Sequence, residues 1–315
     1  MKADLAVSTD TELTVAWLVA GDPSVRWQAE RDLLDKPEEI WRRTRQRIGA
    51  EGWGHDLLAH QDATGTWGGG LYQPKWTSTT YTLLLLRRLG LDHDNPMARR
   101  GAEHLLDDAD WCDGGVSYWS GRKLAERCVN GMVLALGSYF RLADSRLDSI
   151  AGLLTAVAMA DGGWNCRDQD HATHSSFHTT ISVLEGLLEW KRATGSAAAD
   201  AAIRGGQEFL LAHQMYKSHR TGEVINEAWT KAWFPPRWHY DVLRGLDHLR
   251  DSGQVPDSRA ADAVDLIRAA QRADGRWPKG SQYSGEVYLT LEPGRVAGRW
   301  NTLRALRVLR WYDDA

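Results

Sequence analysis

The chain has 315 residues, 43% of them hydrophobic and 25% charged, and its 38 Lys and Arg against 42 Asp and Glu leave a net charge of -4. With no basic stripe interleaved with aromatics, that balance argues against a nucleic-acid partner, and no apolar run approaches membrane-spanning length. Cys112, Cys128 and Cys166 are an odd number at unpatterned spacing, and Met1-Lys2-Ala3-Asp4 opens with an acid where a signal peptide needs an apolar core, so a cytoplasmic protein without structural disulfides is expected.

Taken in order, residues 11–20 and 24–35 read as a helical pair split by Gly21-Asp22-Pro23-Ser24, where Asp22 suits a cap and Pro23 the first helical turn. From Pro37 a long helical segment runs to about His60, with Trp41, Ile48, Trp53 and Leu57 at helical spacing. Beyond it the pattern alternates. First helices are expected over 95–107, 144–159, 196–214 and 256–272, second helices over 77–89, 124–142, 175–194, 236–252 and 298–312. The second helices, with Leu83-Leu84-Leu85-Leu86 and Met132-Val133-Leu134-Ala135-Leu136, leave little polar face and should be buried on all sides. Strand signals are nearly absent; Glu286-Val287-Tyr288-Leu289-Thr290 alternates and supports at most a short hairpin.

Between the helices recur tight turns: Gln61 to Trp67, Asp113-Gly114-Gly115, Asp161-Gly162-Gly163-Trp164, a degenerate Thr221-Gly222-Glu223, and Gln271 to Trp277. Their glycines (Gly65, Gly114, Gly162, Gly222 and Gly275) lie 49, 48, 60 and 53 residues apart, the length of a helical hairpin with its loop. Such units bury their apolar faces only by stacking, so the period predicts one all-α body of about twelve helices spanning 1–315. Glycine permits the sharp exit from the helix, Gln can cap neighbouring carbonyls, and Trp packs over the turn. The 16 tryptophans are too costly to expose, so most should be buried or face a ligand.

The Gln-x-x-x-Gly-x-Trp pattern in Gln61–Trp67 and Gln271–Trp277 resembles the turn of squalene-hopene cyclases, and with the period it resembles the terpenoid cyclase and protein prenyltransferase superfamily over residues ~60–312. The resemblance implies an (α/α)6 toroid, with two concentric rings of helices, residues 1–36 closing the ring, and an apolar central cavity for an isoprenoid chain. The chain departs from the cyclases: it lacks the Asp-x-Asp-Asp proton donor, and Asp107-Asp108-Ala109-Asp110 is a scrambled relative that reads better as a solvated charge run. It also lacks an Asp-Asp-x-x-Asp magnesium motif. The prenyltransferases hold zinc with Asp-x-Cys at the start of an inner helix and a His from the next repeat. In this chain that comparison implies Glu126, Cys128 and His178, a set that leaves a fourth zinc position open. Cys166, Asp168, Asp170, His171 and His174 are possible substitutes; the plainer alternative is that Cys128 packs as a small apolar residue and His174 and His178 cap and pack.

The densest constellation is Trp229 to Asp241, which holds Trp233, Trp238, His239 and Tyr240. Pro236 suits a helix start and would aim Trp238, His239, Tyr240 and Asp241 around its opening turn. Neighbouring helices bring Thr79, Cys128, His178, Asn301, Trp76 and Trp300 to that level, and Phe177 precedes His178. Aromatic faces suit an apolar or cationic guest. Asp241 beside His239 is a candidate acid/base pair, with His178 a further catalytic candidate; the alternative is that Trp238 and Tyr240 fill the core while His239 and Asp241 satisfy helix ends. Arg295 and Arg299 could grip an anionic headgroup or pair with Glu286 or Glu292. Three functional classes follow: a toroid enzyme acting on an isoprenoid or other bulky apolar substrate with acid/base or zinc-assisted chemistry, a non-catalytic apolar-ligand binder, and a glycan-active (α/α)6 hydrolase or lyase.

Overall fold

Three indoles perform one task in three places. Trp67, Trp164 and Trp277 are at most 2% exposed. Each donates its ring N–H to the carbonyl ten residues earlier, at Leu57, Leu154 and Ile267 (2.8, 2.7 and 2.7 Å). Each also donates its backbone N–H to a threonine hydroxyl on the following helix, Thr79, Thr180 or Thr302, at 3.0–3.1 Å. The glycine two residues before each indole takes a left-handed φ, +100° at Gly65, +93° at Gly162 and +74° at Gly275, which a side chain would resist. Gln61 bonds both its own turn at Gly65 and the Met97 carbonyl in the first turn of the second helix beyond it, each at 2.8 Å. The turn is therefore a clamp between the end of one helix and the start of the next, as its residue types require.

The computed structural model describes residues 9–119, 124–167, 171–280, 282–294 and 297–314, and over them the protein is all-α. The helices are α1 (Thr9–Val19), α2 (Pro23–Asp32), α3 (Glu38–Gln46), α4 (Gly52–Leu58), α5 (Thr79–Leu89), α6 (Pro96–Asp107), α7 (Arg127–Tyr139), α8 (Arg146–Ala156), α9 (Phe177–Thr194), α10 (Asp200–Ala212), α11 (Val242–Asp251), α12 (Ala261–Ala269) and α13 (Arg299–Asp313). Burial divides the later helices into two sets. Eleven of the 13 residues of α7 and nine of the 11 of α5 are buried, whereas α8 buries four of 11 and α12 three of nine.

The buried set is linked in a closed cycle. Trp27 of α2 donates to the Leu89 carbonyl ending α5 (2.9 Å); α5 packs on α7 and α7 on α9; Glu185 of α9 pairs with Arg244 of α11 (2.8 Å). Asp247 of α11 pairs with Arg307 of α13, which returns to Gln28 of α2 (2.8 Å). The closest of these contacts is between α7 and α9, where Gly131 and Gly186 let the backbones touch: a Cβ on Gly131 would lie 2.6 Å from the Ser182 carbonyl oxygen, and one on Gly186 would meet that of Gly131.

Four local expectations change. The segment 37–60 is not one helix: α3 and α4 are separated by a 3-10 turn over Arg47–Gly49, and Gly52 at φ +67° is packed against the Asp22 carboxylate. That carboxylate caps Ser24 and Trp53 together, both at 2.9 Å. The helix expected from Pro236 starts at Val242, because Arg237 turns left-handed (φ +54°) and Asp241 is the residue that caps, accepting the Arg244 N–H at 2.7 Å. Residues 286–290 form no strand; Trp76 holds this loop instead, donating its ring N–H to the Ser284 carbonyl at 2.8 Å. The described hairpin is elsewhere, β1 (Asp110–Cys112) against β2 (Gly115–Ser117), where Asp113 and Gly114 both take positive φ as a two-residue turn of this kind needs.

Candidate functional site

The N-terminal ends of α7 and α9 bring two thiols and a carboxylate together. Glu126 precedes α7, Cys128 lies in its first turn, and Cys166 lies in the loop after the Trp164 clamp. One ligand atom from each lies within 4.8 Å of the others. The Cys166 sulfur accepts the Cys128 N–H at 3.2 Å and the Thr179 hydroxyl at 3.4 Å. The hydrogen bond between the two sulfurs holds Cys128 well above the usual thiol range, with burial adding to it, and lowers Cys166. The pair thus gives up its first proton readily and its second with difficulty. Glu126 also accepts the Trp119 ring N–H at 3.0 Å.

Cys166, rather than His178, stands third in this group. His178 accepts the Tyr240 N–H on Nδ1 at 2.7 Å, which leaves that nitrogen no lone pair for a metal. Burial, reinforced by Arg244, pushes its pKa down to about 4, so it is a neutral ring carrying its proton on Nε2. Of the other candidate ligands, His171 and His174 are exposed and outside the group. Asp168 and Asp170 lie outside the described residues.

Beside the thiols the loops build an aromatic wall. His239 is sandwiched between Trp238 and Tyr283 with ring centroids 3.8 and 3.6 Å away. Trp233 stacks on Tyr283 at 4.8 Å, Trp76 packs edge-on to Tyr81, and Phe177 meets Trp229 and Tyr240. Two cations of the chain itself lie over these faces, Arg237 over Trp76 at 5.3 Å and Lys75 over Trp238 at 5.6 Å. The Nδ1 of His239 and the ring N–H groups of Trp229 and Trp238 are buried with no hydrogen-bond partner. Burial and the neighbouring cationic and imidazole groups lower His239 to about 3, so it too is neutral.

Asp241 turns to groups other than His239, whose Nδ1 has no partner. One Asp241 oxygen accepts the Arg244 N–H and faces Arg304 at 3.6 Å, and the other accepts the Trp233 N–H at 3.4 Å. Burial pushes its carboxyl up, against the pull of Arg304 and the two N–H groups. Thr79 and Asn301 likewise serve the loops: Thr79 donates to the Gly70 carbonyl (2.9 Å), and the Asn301 amide reaches the Ala232, Pro278 and Lys279 carbonyls at 2.9–3.1 Å. Tyr240 is buried with its hydroxyl on the Met215 carbonyl at 2.6 Å. Arg299 donates its backbone N–H to Glu292 and lays its guanidinium over Trp17 at 4.4 Å, so it joins the last helix to the first; Arg295 lies outside the described residues.

Trp300 stands apart from the wall. It stacks on Phe234 at 4.3 Å and lines a chamber of about 470 Å³ between the buried helices. That chamber is not apolar: Arg87, Arg88, Glu185, Glu189, Arg244, Asp247 and Arg307 line it. Glu185 is shared by Arg88 (2.9 Å), Arg244 (2.8 Å) and Arg87 (3.6 Å), which holds its carboxyl well below the usual range despite burial. In the sequence this chamber shows as charge in the last turns of α5 and α9, Arg87-Arg88 and Arg192, and along α11 and α13. No protein-family model matches the chain, and no curated protein matches it either.

Proposed function

We propose that this chain is a terpenoid cyclase- and prenyltransferase-like toroid that holds a zinc ion with Glu126, Cys128 and Cys166 and acts on an isoprenoid or other bulky apolar substrate laid against the aromatic wall. The observation that carries this reading is the convergence of two thiols and a carboxylate from separate repeats, within 4.8 Å of one another, at the N-terminal ends of two buried helices. The residues fit the metal: two sulfurs and one oxygen are ordinary zinc donors, and Cys166 already has the donors that favour its thiolate. Bound there, zinc would supply Lewis acidity at the one coordination position the protein leaves open.

The chain's own residues do the rest. Trp76, Trp233 and Trp238 offer apolar area, and the unpartnered ring N–H groups of Trp229 and Trp238 provide hydrogen bonds for a polar end of the substrate. Arg237 and Lys75 favour a substrate whose polar end is anionic. Neutral His178 positions α11 against α9 through the Tyr240 N–H. Two free thiols in contact suit the reducing cytoplasm.

Metal analysis of the purified protein tests this. About one equivalent of zinc is expected, lost in Cys128→Ala and in Cys166→Ala and retained in His178→Ala; a natively folded, metal-free protein defeats the zinc reading. Native mass spectrometry for a co-purified lipid tests the substrate class, and a bound sugar instead would defeat it.

A further inference from the structure

The chamber that runs from the C-terminal ends of α5, α7 and α9 to Arg244 and Trp300, in the first turns of α11 and α13, carries more positive charge than the fold has neutralised. Ten arginines and four carboxylates line it, an excess of six positive charges. Counting Asp32 behind Arg307, Asp241 behind Arg304 and Asp94 behind Arg141 still leaves three. Some of these guanidiniums answer helix carbonyls: Arg45 donates to Gly90 and Arg192 to Asp251. The inner ones share acids instead. Glu185 serves three of them, and Asp247 serves Arg250, Arg304 and Arg307. Sharing leaves like charges crowded together, and burial among Arg244 and Arg87 lowers Arg88 to about 10.

Unfilled hydrogen-bonding groups line the same space. The Nε of Arg87, the ring N–H of Trp300, the Ser138 hydroxyl and the His248 Nε2 are buried without partners, although the residues carrying the last three are only 1%, 4% and 5% exposed. Leaving such groups unpaired in a buried place is costly, so their clustering in one arginine-lined space marks a place for a ligand rich in acceptors. The mouth is accessible, because Arg141 and Arg192 keep 59% and 42% of their side-chain area exposed.

We propose that this chamber is a binding site for a small molecule bearing two or more phosphoryl groups, held by Arg87, Arg88, Arg244 and Arg307 with Ser138 and Trp300 as neutral donors. Guanidinium forks match phosphoryl oxygens two at a time, and 470 Å³ accommodates a condensed phosphate or a nucleotide. A single carboxylate would leave most of the excess charge uncompensated. The site contains none of Glu126, Cys128 and Cys166 and does not depend on the zinc or isoprenoid reading.

Calorimetric titration of the full chain with inorganic pyrophosphate, ATP and inorganic phosphate tests it. Pyrophosphate or ATP should bind saturably at one site, more tightly than phosphate, and more weakly as salt is raised. Binding of ATP alone assigns the site to an organic phosphate; binding of both shows that the phosphoryl groups suffice. Arg88→Gln should weaken binding about tenfold or more, and Arg141→Glu at the mouth should weaken it too, whereas Arg268→Gln on α12, outside the chamber, should not. Should Arg88→Gln fail to fold by circular dichroism, Arg141→Glu decides. Absence of saturable binding by either phosphate, or equal loss in Arg268→Gln, overturns the proposal.

Discussion

The sulfur of Cys166 accepts the backbone N–H of Cys128 at 3.2 Å, tying the loop before α9 to the first turn of α7. Because Thr179 donates to the same sulfur, negative charge on Cys166 is met by two donors, while Cys128 keeps its proton against its neighbour. Thiolate is the reactive form, so Cys166 should be alkylated by iodoacetamide before Cys128 in metal-free protein. Thr179→Val should slow that reaction several-fold, roughly the loss of one hydrogen bond. A peptide-mass time course checks the order; Cys128 reacting first would contradict it.

The indole clamps are load paths that recur, so one can be weakened while the others act as internal references. Trp277→Phe leaves the Ile267 carbonyl without its partner and the turn with a smaller ring; a loss of about 1–3 kcal/mol in urea unfolding is expected. Thr302→Val removes only the acceptor of the Trp277 N–H and should cost about 1 kcal/mol. Equal stability of Trp277→Phe and the parent would show that the clamp is ornamental.

Two glycines in helices should respond in opposite directions to alanine. At Gly186 a methyl group meets the Gly131 backbone, which cannot retreat without separating α7 from α9, and a loss of about 1–3 kcal/mol or more is expected. At Gly152 in α8 nothing lies within 4 Å, so Gly152→Ala should stabilise the protein by about 0.5–1 kcal/mol through helix propensity. Thermal unfolding of both variants checks the contrast.

Buried neutral histidines make the fold acid-sensitive in a defined window. His178 and His248 are each lowered to about 4, chiefly by burial, from an ordinary value of 6.5. Between those values the unfolded chain binds protons that the native protein refuses, so stability present above pH 6.5 is lost as the pH falls toward 4. Each histidine contributes a slope of up to about 1.4 kcal/mol per pH unit. Glu185, held below its ordinary 4.5 by Arg244 and Arg88, adds its loss only beneath that pH. Urea midpoints for His248→Gln should therefore fall less steeply from pH 6.5 to 4.5 than those of the parent. Parallel curves would exclude the histidine as the cause.

The helical class, the hairpin period and the clamp turns are properties of the sequence, because each rests on local chemistry. Glycine at a left-handed φ, an indole within reach of a helix end and an apolar run long enough for three turns are all written within a few residues. Thus Asp22 and Pro23 begin α2 as their types demand, and Trp67, Trp164 and Trp277 clamp alike. The thiol pair was half legible: Glu126 and Cys128 mark a helix start, but whether Cys166 or His178 joins them turns on the loop's path and on α11 taking His178 Nδ1 for its own backbone. Tertiary structure alone decided that Asp241 is a cap, that the aromatic rings stack on one another, and that arginines from six helices and one loop face one chamber. A charge at a helix end reads as a solvated residue until the chain closes around it; only then do desolvation and like-charge crowding make it the feature that calls for a ligand.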